Sequence, residues 1–129
     1  MDRNRNIITE VDGRTVGFRV DNWVLKETQR KAGCKGIVEL FNKIGVNDAN
    51  IDLETLTLLL MEAYNEFQYF EKKEGRIKKE VLLDERGACE LIDDMGGVIA
   101  ALEKMTEGLQ TPIPKNSKPP QKVGEMISR

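Results

Sequence analysis

The central residues 53–73 read LETLTLLLMEAYNEFQYFEKK. The main apolar residues of this stretch recur at steps of three and four positions, which keeps them on one side of a helix with 3.6 residues per turn. This stripe consists of Leu53, Leu56, Leu60, Ala63, Phe67 and Phe70. Asp52 comes just before it and can accept a hydrogen bond from the free amides of a first helical turn. The pattern therefore predicts one long helix over 53–73.

The predicted long helix carries more apolar side chains than its stripe contains. Leu58, Met61 and Tyr69 lie outside the stripe. A helix that is apolar on two sides is either enclosed by its own fold or leaves a surface for another chain. Trp23 is open to the same two interpretations, as a buried anchor or as an interface aromatic. The candidate protein-interaction residues are Trp23, Leu58, Met61, Tyr64 and Tyr69.

The amino-terminal segment predicts an antiparallel β-hairpin over residues 6–20. Two runs rich in Ile, Val, Thr and Phe flank Asp12-Gly13, a pair typical of a two-residue turn in which both positions have positive φ. In the second run, apolar residues alternate with Gly17 and Arg19. We expect a strand with one buried and one exposed face.

Shorter helices are predicted on both sides of the long one, over about 23–32, 36–44, 84–95 and 98–108. Each has apolar residues at helical spacing, and glycines mark several of the ends. Residues 81–83 are read as either a short strand or an extended lead-in. The fold class is therefore mainly α, with about five helices and the hairpin in one domain over residues 1–109.

The composition changes after Gln110. All four prolines lie beyond it, and four basic residues there face one acidic residue, Glu125, which makes this stretch +3. Because it has few apolar groups to offset the entropy cost of ordering, we predict a flexible Pro/Lys tail over residues 110–129.

Charge and residue types favour a binding protein over an enzyme. The chain has 20 basic and 22 acidic residues, a balance that singles out neither nucleic acid nor an acidic membrane. It has no histidine, the commonest general base and metal ligand. We expect no catalytic site, no metal or other cofactor, and no small-molecule ligand. The two cysteines are separated and are read as buried or half-buried free thiols in a reducing cytoplasm.

The order of elements resembles a known family. The carrying stretches are Phe18–Leu25 (FRVDNWVL), Ile51–Tyr64 (IDLETLTLLLMEAY) and Glu90–Asp94 (ELIDD), followed by Gly96-Gly97. Over about residues 17–109 the chain resembles the tail assembly chaperones of long, non-contractile-tailed bacteriophages, which also occur in gene transfer agents. The shared patterns are helical rather than chemical, so no single binding residue carries over.

The resemblance implies a non-enzymatic helical protein of the host cell cytoplasm. Such chaperones coat the tape-measure protein while a tail is built, help to recruit tail-tube protein, and are absent from the mature virion. Many are also made in a longer, frameshifted form. Repeated binding along a long client would draw avidity from self-association, so we expect a homo-oligomer.

Two other functions stay open from the sequence. One is a structural tail-completion or head–tail joining protein, which would remain in purified particles. The other is a small helical adaptor or regulator that recognises nucleic acid. An adaptor of this kind should have a basic helix face. The basic pairs Arg30-Lys31 and Lys72-Lys73 are instead short runs that lie far apart in the sequence.

Overall fold

A computed structural model describes residues 6–45 and 51–109 of the chain, without the side chains of 108 and 109. It confirms the predicted fold class, since five helices follow one amino-terminal hairpin in this part of the chain. The predicted tail lies outside the described residues. The elements are β1 Asn6–Val11, β2 Arg14–Arg19, α1 Asn22–Lys31, α2 Ile37–Lys43, α3 Leu53–Lys73, α4 Glu85–Asp94 and α5 Val98–Leu109.

The hairpin turns where the sequence predicts. Asp12 and Gly13 have φ of 52° and 78°, the left-handed values that a tight two-residue turn requires. The turn sets the antiparallel register, in which Ile7 pairs with Phe18 and Ile8 pairs with Gly17. Ile7 and Phe18 are both buried, so this pair fixes one face of the hairpin in the core.

Aspartate side chains begin three of the helices. Each accepts a hydrogen bond from the backbone amide three residues later, which satisfies one of the free donors of the first turn. The pairs are Asp21 with Val24 at 3.1 Å for α1, Asp52 with Thr55 at 3.2 Å for α3, and Asp84 with Gly87 at 2.7 Å for α4. These bonds explain why the predicted and observed helix starts agree within a residue.

The long helix α3 is central to the domain. It packs against β2 and against each of the other four helices. Leu56, Leu60 and Ala63 of the predicted stripe are fully buried, but Leu53 is 50% exposed. Leu53 is the first residue of the helix, and continuous burial begins only at Thr55.

Residues 55–60 of α3 are enclosed on all sides. Every residue from Thr55 to Leu60 is buried. Leu58, predicted as a candidate interaction residue outside the core stripe, is only 5% exposed, which corrects that prediction. The physical reason is the packing of strand and helices around this part of α3, an arrangement that periodicity along one helix does not reveal.

The second face of β2 is also covered, against the prediction of one exposed face. Arg19 is 5% exposed, and Gly17 is buried beneath the ring of Phe67. A Cβ built on Gly17 would lie 2.4 Å from two carbons of that ring. Glycine at this position therefore allows the close approach of α3 to the hairpin.

We expect Gly17→Ala to destabilise the fold by about 1–3 kcal/mol, because the added methyl group displaces the half-buried Phe67 ring from its contact with β2. Chemical denaturation of the variant measures the loss. Phe67→Leu in the Gly17→Ala background should recover part of it, since the smaller side chain leaves room for the methyl group. Equal stability of wild type and Gly17→Ala would contradict this packing account.

Candidate protein-interaction groove

A groove of about 560 Å³ lies beside the second half of α3. Its walls come from α1, from α3 and from residues 76–84, the extended segment between α3 and α4 that we call the strap. The lining residues are Trp23 of α1; Glu62, Asn65, Glu66, Tyr69, Phe70 and Lys73 of α3; and Glu80 and Leu82 of the strap. The groove is therefore mixed, with aromatic side chains, carboxylates and one lysine.

Side-chain amides of α3 hold the strap in place. Asn65 donates to the carbonyl of Leu83 at 3.1 Å and accepts from its amide at 2.7 Å. Gln68 accepts from the amide of Val81 at 3.0 Å. The backbone of residues 81–83 is thus bonded to side chains of α3 and not to another strand. Of the two predicted alternatives, a short strand or an extended lead-in, the second is the one observed. Between the two attachment points, Leu82 is 63% exposed beside the groove.

Two large aromatic side chains stand exposed at the groove. Trp23 is 53% exposed and Tyr69 is 48% exposed. Lys26 lies 4.8 Å from the centre of the Trp23 ring, and Phe70 meets Tyr69 edge to face at 5.2 Å between ring centres. Tyrosine and tryptophan combine a large apolar body with a polar tip, which makes them the usual anchors of protein interfaces.

Two buried carboxylates line the groove, one turn apart on α3. Glu62 and Glu66 are both buried by the surrounding side chains. Glu62 forms an ion pair with Lys31 of α1. Glu66 lies by Asp21, the residue that caps α1, and a hydrogen bond joins their side chains. The groove therefore contains buried acidic groups whose partners come from a different element.

Arg19 connects the hairpin to this acidic group. Its Nε donates to Asp21 at 2.9 Å, and its guanidinium carbon lies 4.0 Å from the centre of the Phe70 ring. Lys73 approaches the same ring at 5.3 Å. Phe70 thus contacts two cations through its face, and the end of β2 is joined to the groove.

The surroundings raise the pKa of Glu66 from its usual value of 4.5 to about 8. Burial is the largest cause, because a charged carboxylate loses its hydration there. The hydrogen bond to Asp21 and the negative charge of that residue act in the same direction, and Arg19 opposes them. A protonated Glu66 can donate to Asp21, so the two carboxyl groups share a site without both being charged.

The structure brings together two of the five predicted interaction residues. Trp23 and Tyr69 both line the groove. Tyr64 is half-buried with its ring 6.2 Å from that of Phe18, and Met61 is half-buried against the core. Together with buried Leu58, these placements leave the exposed aromatics as the accessible part of the predicted set.

The two buried carboxylates and the strap are not among the residues predicted from the sequence. Leu58, Glu62, Asn65 and Tyr69 follow one another at steps of four, three and four, so a single line along α3 contains all of them. That spacing would have placed Glu62 on the same face of the helix as Tyr69, two turns away. Nothing local in the sequence indicates that Asn65 binds a segment eighteen positions later.

The possible metal ligands of the described residues, including the two cysteines, lie outside any metal-binding cluster. No group of three or more Cys, Asp or Glu side chains is placed there to hold a metal ion. Burial raises the pKa of the Cys34 thiol. Cys89 is exposed rather than half-buried as predicted, with its sulfur 3.8 Å from the hydroxyl of Thr57.

None of the helices in the described part of the chain combines the length and apolar character needed to cross a membrane. Comparison with protein-family models, with curated proteins and with solved structures gives no significant match for this chain. The groove and its surroundings are therefore interpreted from their own geometry.

Glu66→Gln should stabilise the protein at pH 8 by about 1–2 kcal/mol. A raised pKa is worth about 1.4 kcal/mol per unit, and solvent at the groove reduces this value by screening the charge. In the folded chain Glu66 stays protonated up to about pH 8, whereas the unfolded residue ionises near 4.5. The folded state therefore binds the extra proton, and stability falls as pH rises between these values. Glutamine keeps the hydrogen-bond donor and removes this loss.

The measurement is denaturant unfolding at pH 5, 6.5 and 8, with Glu103→Gln on the exposed side of α5 as the matched control. The gain from Glu66→Gln should grow with pH, and the control should show no such growth. A gain that is the same at all three pH values would contradict a raised pKa for Glu66.

Proposed function

We propose that this chain is a non-enzymatic assembly chaperone that binds a helical segment of a client protein in the groove. The observation that carries the proposal is the change along α3. Its residues 55–60 are enclosed by the fold, whereas beside its second half Trp23, Tyr69 and Leu82 stay exposed around one groove. A large apolar side chain that remains in water forgoes roughly 1.5–3 kcal/mol of stabilisation. A partner that covers these side chains is therefore favoured.

The dimensions of the groove suit a short stretch of helix. From Glu62 to Lys73 the groove follows eleven steps of α3, about 16 Å at 1.5 Å per residue. A client helix of about three turns matches this length. Its apolar face would meet the aromatic side chains, as in other complexes in which an amphipathic helix occupies a groove.

The charges of the groove select the client further. Because Glu66 is protonated up to about pH 8 and Glu62 is paired with Lys31, the charged groups open to a client are Glu80 and Lys73. A client with a basic group opposite Glu80 and an acidic group opposite Lys73 would be favoured. The partly buried ion pair between Glu62 and Lys31 also keeps part of the groove polar. Such mixed surfaces give modest affinity per site, which suits a chaperone that is later displaced.

The proposed client is the tape-measure protein of a long-tailed bacteriophage. This part of the proposal is supported by the order of elements, in which the hairpin, the tryptophan-bearing helix, the leucine-rich long helix and the helix before Gly96-Gly97 follow one another. With it come a tail-tube protein as second partner, action in the host cell cytoplasm, and absence from the mature virion.

Binding to a long client in many copies would be strengthened by contacts between copies. Exposed apolar side chains suited to such contacts lie away from the groove, with Val38 on α2 and Ile99 on α5. Weak contacts between neighbours raise the overall affinity through effective concentration, without demanding tight binding at each groove.

The double substitution Trp23→Ala/Tyr69→Ala should weaken client binding about 10- to 100-fold, because aromatic anchors at the centre of an interface carry most of its energy. Co-expression with the tape-measure protein and measurement of its soluble fraction test this. Ile8→Ala/Leu53→Ala is the matched control, since it also removes two exposed apolar side chains and leaves the groove and the proposed contacts between copies intact. Equal client solubility with and without the wild-type chain would refute the chaperone proposal.

Sedimentation velocity over a wide concentration range tests the contacts between copies. We expect the weight-average mass to rise with concentration above that of the 14.6 kDa chain. The Val38→Ala/Ile99→Ala variant should shift the rise to higher concentration. A strict monomer at all concentrations would contradict self-association, and detection of the chain in purified virions would favour the structural tail protein instead.

A further inference from the structure

We propose that the free edge of strand β1 binds an extended segment of another protein, one that carries a basic side chain opposite Glu10. The segment would add a third strand to the hairpin and lie between β1 and α5. This surface shares no lining residue with the groove beside α3, so the inference goes beyond the proposed function and does not rest on it.

The backbone of β1 carries hydrogen-bonding groups that point away from the hairpin. In a hairpin with a two-residue turn, the residues beside the turn exchange both backbone bonds, and such bonded pairs then alternate along the strands. The bonded pairs are therefore Val11 with Arg14, Thr9 with Val16 and Ile7 with Phe18. The amides and carbonyls of Ile8 and Glu10 lie between these pairs and point outward.

No other strand covers these outward groups in the part of the chain that the structure describes. The sheet there consists of β1 and β2, and no backbone hydrogen bond from another element of residues 6–45 and 51–109 reaches Ile8 or Glu10. An unpaired strand edge is a template for an extended chain, because only that conformation offers donors and acceptors at the same spacing. The edge itself therefore specifies the conformation of its ligand.

A groove of about 260 Å³, which we call the edge groove, runs along this side of β1. Successive side chains of a strand point to opposite faces, so a groove that touches three residues in a row approaches the strand from its edge. A bound segment would have the backbone of β1 on one side and α5 on the other. The lining residues are Thr9, Glu10 and Val11 of β1, Met95 at the end of α4, and Ala100, Glu103, Lys104 and Glu107 of α5.

The charges of the edge groove favour a basic segment. Of its three glutamates, Glu107 pairs with Lys104 at 3.3 Å. The other two, Glu10 and Glu103, are exposed and form no ion pair within the described residues. Side chains opposite each other on neighbouring strands lie about 5 Å apart at Cβ, so a lysine or arginine opposite Glu10 can reach its carboxylate.

The positions next to the basic residue suit apolar side chains. They would point to the opposite face of the sheet, because side chains alternate along a strand. On that face Val11 is buried, and Met95 and Ala100 are half-buried beside the edge groove. The expected ligand is therefore an extended segment in which β-branched apolar residues flank a lysine or arginine.

The same charges disfavour a second copy of this chain as the occupant. Pairing of two β1 edges would bring two sets of uncompensated carboxylates, each with Glu10 and Glu103, to one interface. Like charges placed together in this way oppose association. A basic partner removes this repulsion and replaces it with attraction.

The test uses a fluorescein-labelled synthetic peptide of six residues, the length of β1, in which valine and threonine flank one lysine. Fluorescence anisotropy with the full-length wild-type chain measures its dissociation constant. A peptide with glutamate in place of lysine should bind about tenfold more weakly. The lysine peptide with methylated backbone nitrogens keeps its side chains and loses its donors, so it should also bind about tenfold more weakly.

The variant Glu10→Lys/Glu103→Lys should reverse the preference, so that the glutamate peptide binds more tightly than the lysine peptide. Glu74→Lys/Asp93→Lys is the matched control, since it makes the same charge change at two exposed residues outside the edge groove. At physiological salt it should bind the lysine peptide within about twofold of the wild type, because distant exposed charges are screened.

Amide hydrogen exchange locates the bound peptide. The amides of Ile8 and Glu10 should exchange rapidly in the free chain and about tenfold more slowly with saturating lysine peptide. The amides of Thr9 and Val11, which are bonded within the hairpin, should change little.

No binding of the lysine peptide, or equal binding of the lysine, glutamate and methylated peptides, would overturn the proposal. Protection of Ile8 and Glu10 in the free chain that disappears on dilution would also overturn it and assign the edge to a second copy. Because no client is present in these experiments, none of these results bears on client binding in the groove beside α3.

Discussion

The enclosure of α3 determines both the fold and the groove. This helix contacts β2 and the four other helices, and its residues 55–60 are buried on every side. Further along, the covering elements reach only part of the surface. The same helix therefore supplies the core at one end and a partly open wall at the other. Since α3 is continuous, the groove has a rigid backbone that the core holds in place.

The hairpin is connected to the groove through a chain of contacts. Gly17 lets the Phe67 ring lie against β2, and Arg19 reaches from the end of that strand to Asp21 and to the Phe70 ring. Asp21 in turn caps α1, the helix that carries Trp23. A change in the hairpin would therefore reach the groove through packed side chains and a hydrogen-bonded carboxylate, over only a few residues of chain.

Local signals in the sequence predict most of the fold and part of the site. The Asp-Gly turn, the aspartate caps and the helical spacing of apolar residues each act within a few positions, and the structure confirms the elements that they predict. The burial of Leu58 depends on how elements distant in sequence assemble around α3. The same is true of the pairing of Glu62 with Lys31 and of the strap with Asn65. Periodicity along one helix contains no information about these contacts.

The attachment of the strap gives the groove an adjustable width. Three hydrogen bonds from two amide side chains hold it, together with the packing of Leu83 against the core, and each such bond contributes only about 1 kcal/mol net. Water can replace these bonds at a cost far below that of unfolding the helices. One wall can thus move outward while the opposite wall stays fixed. Such a movement would let the groove accept client segments of different thickness.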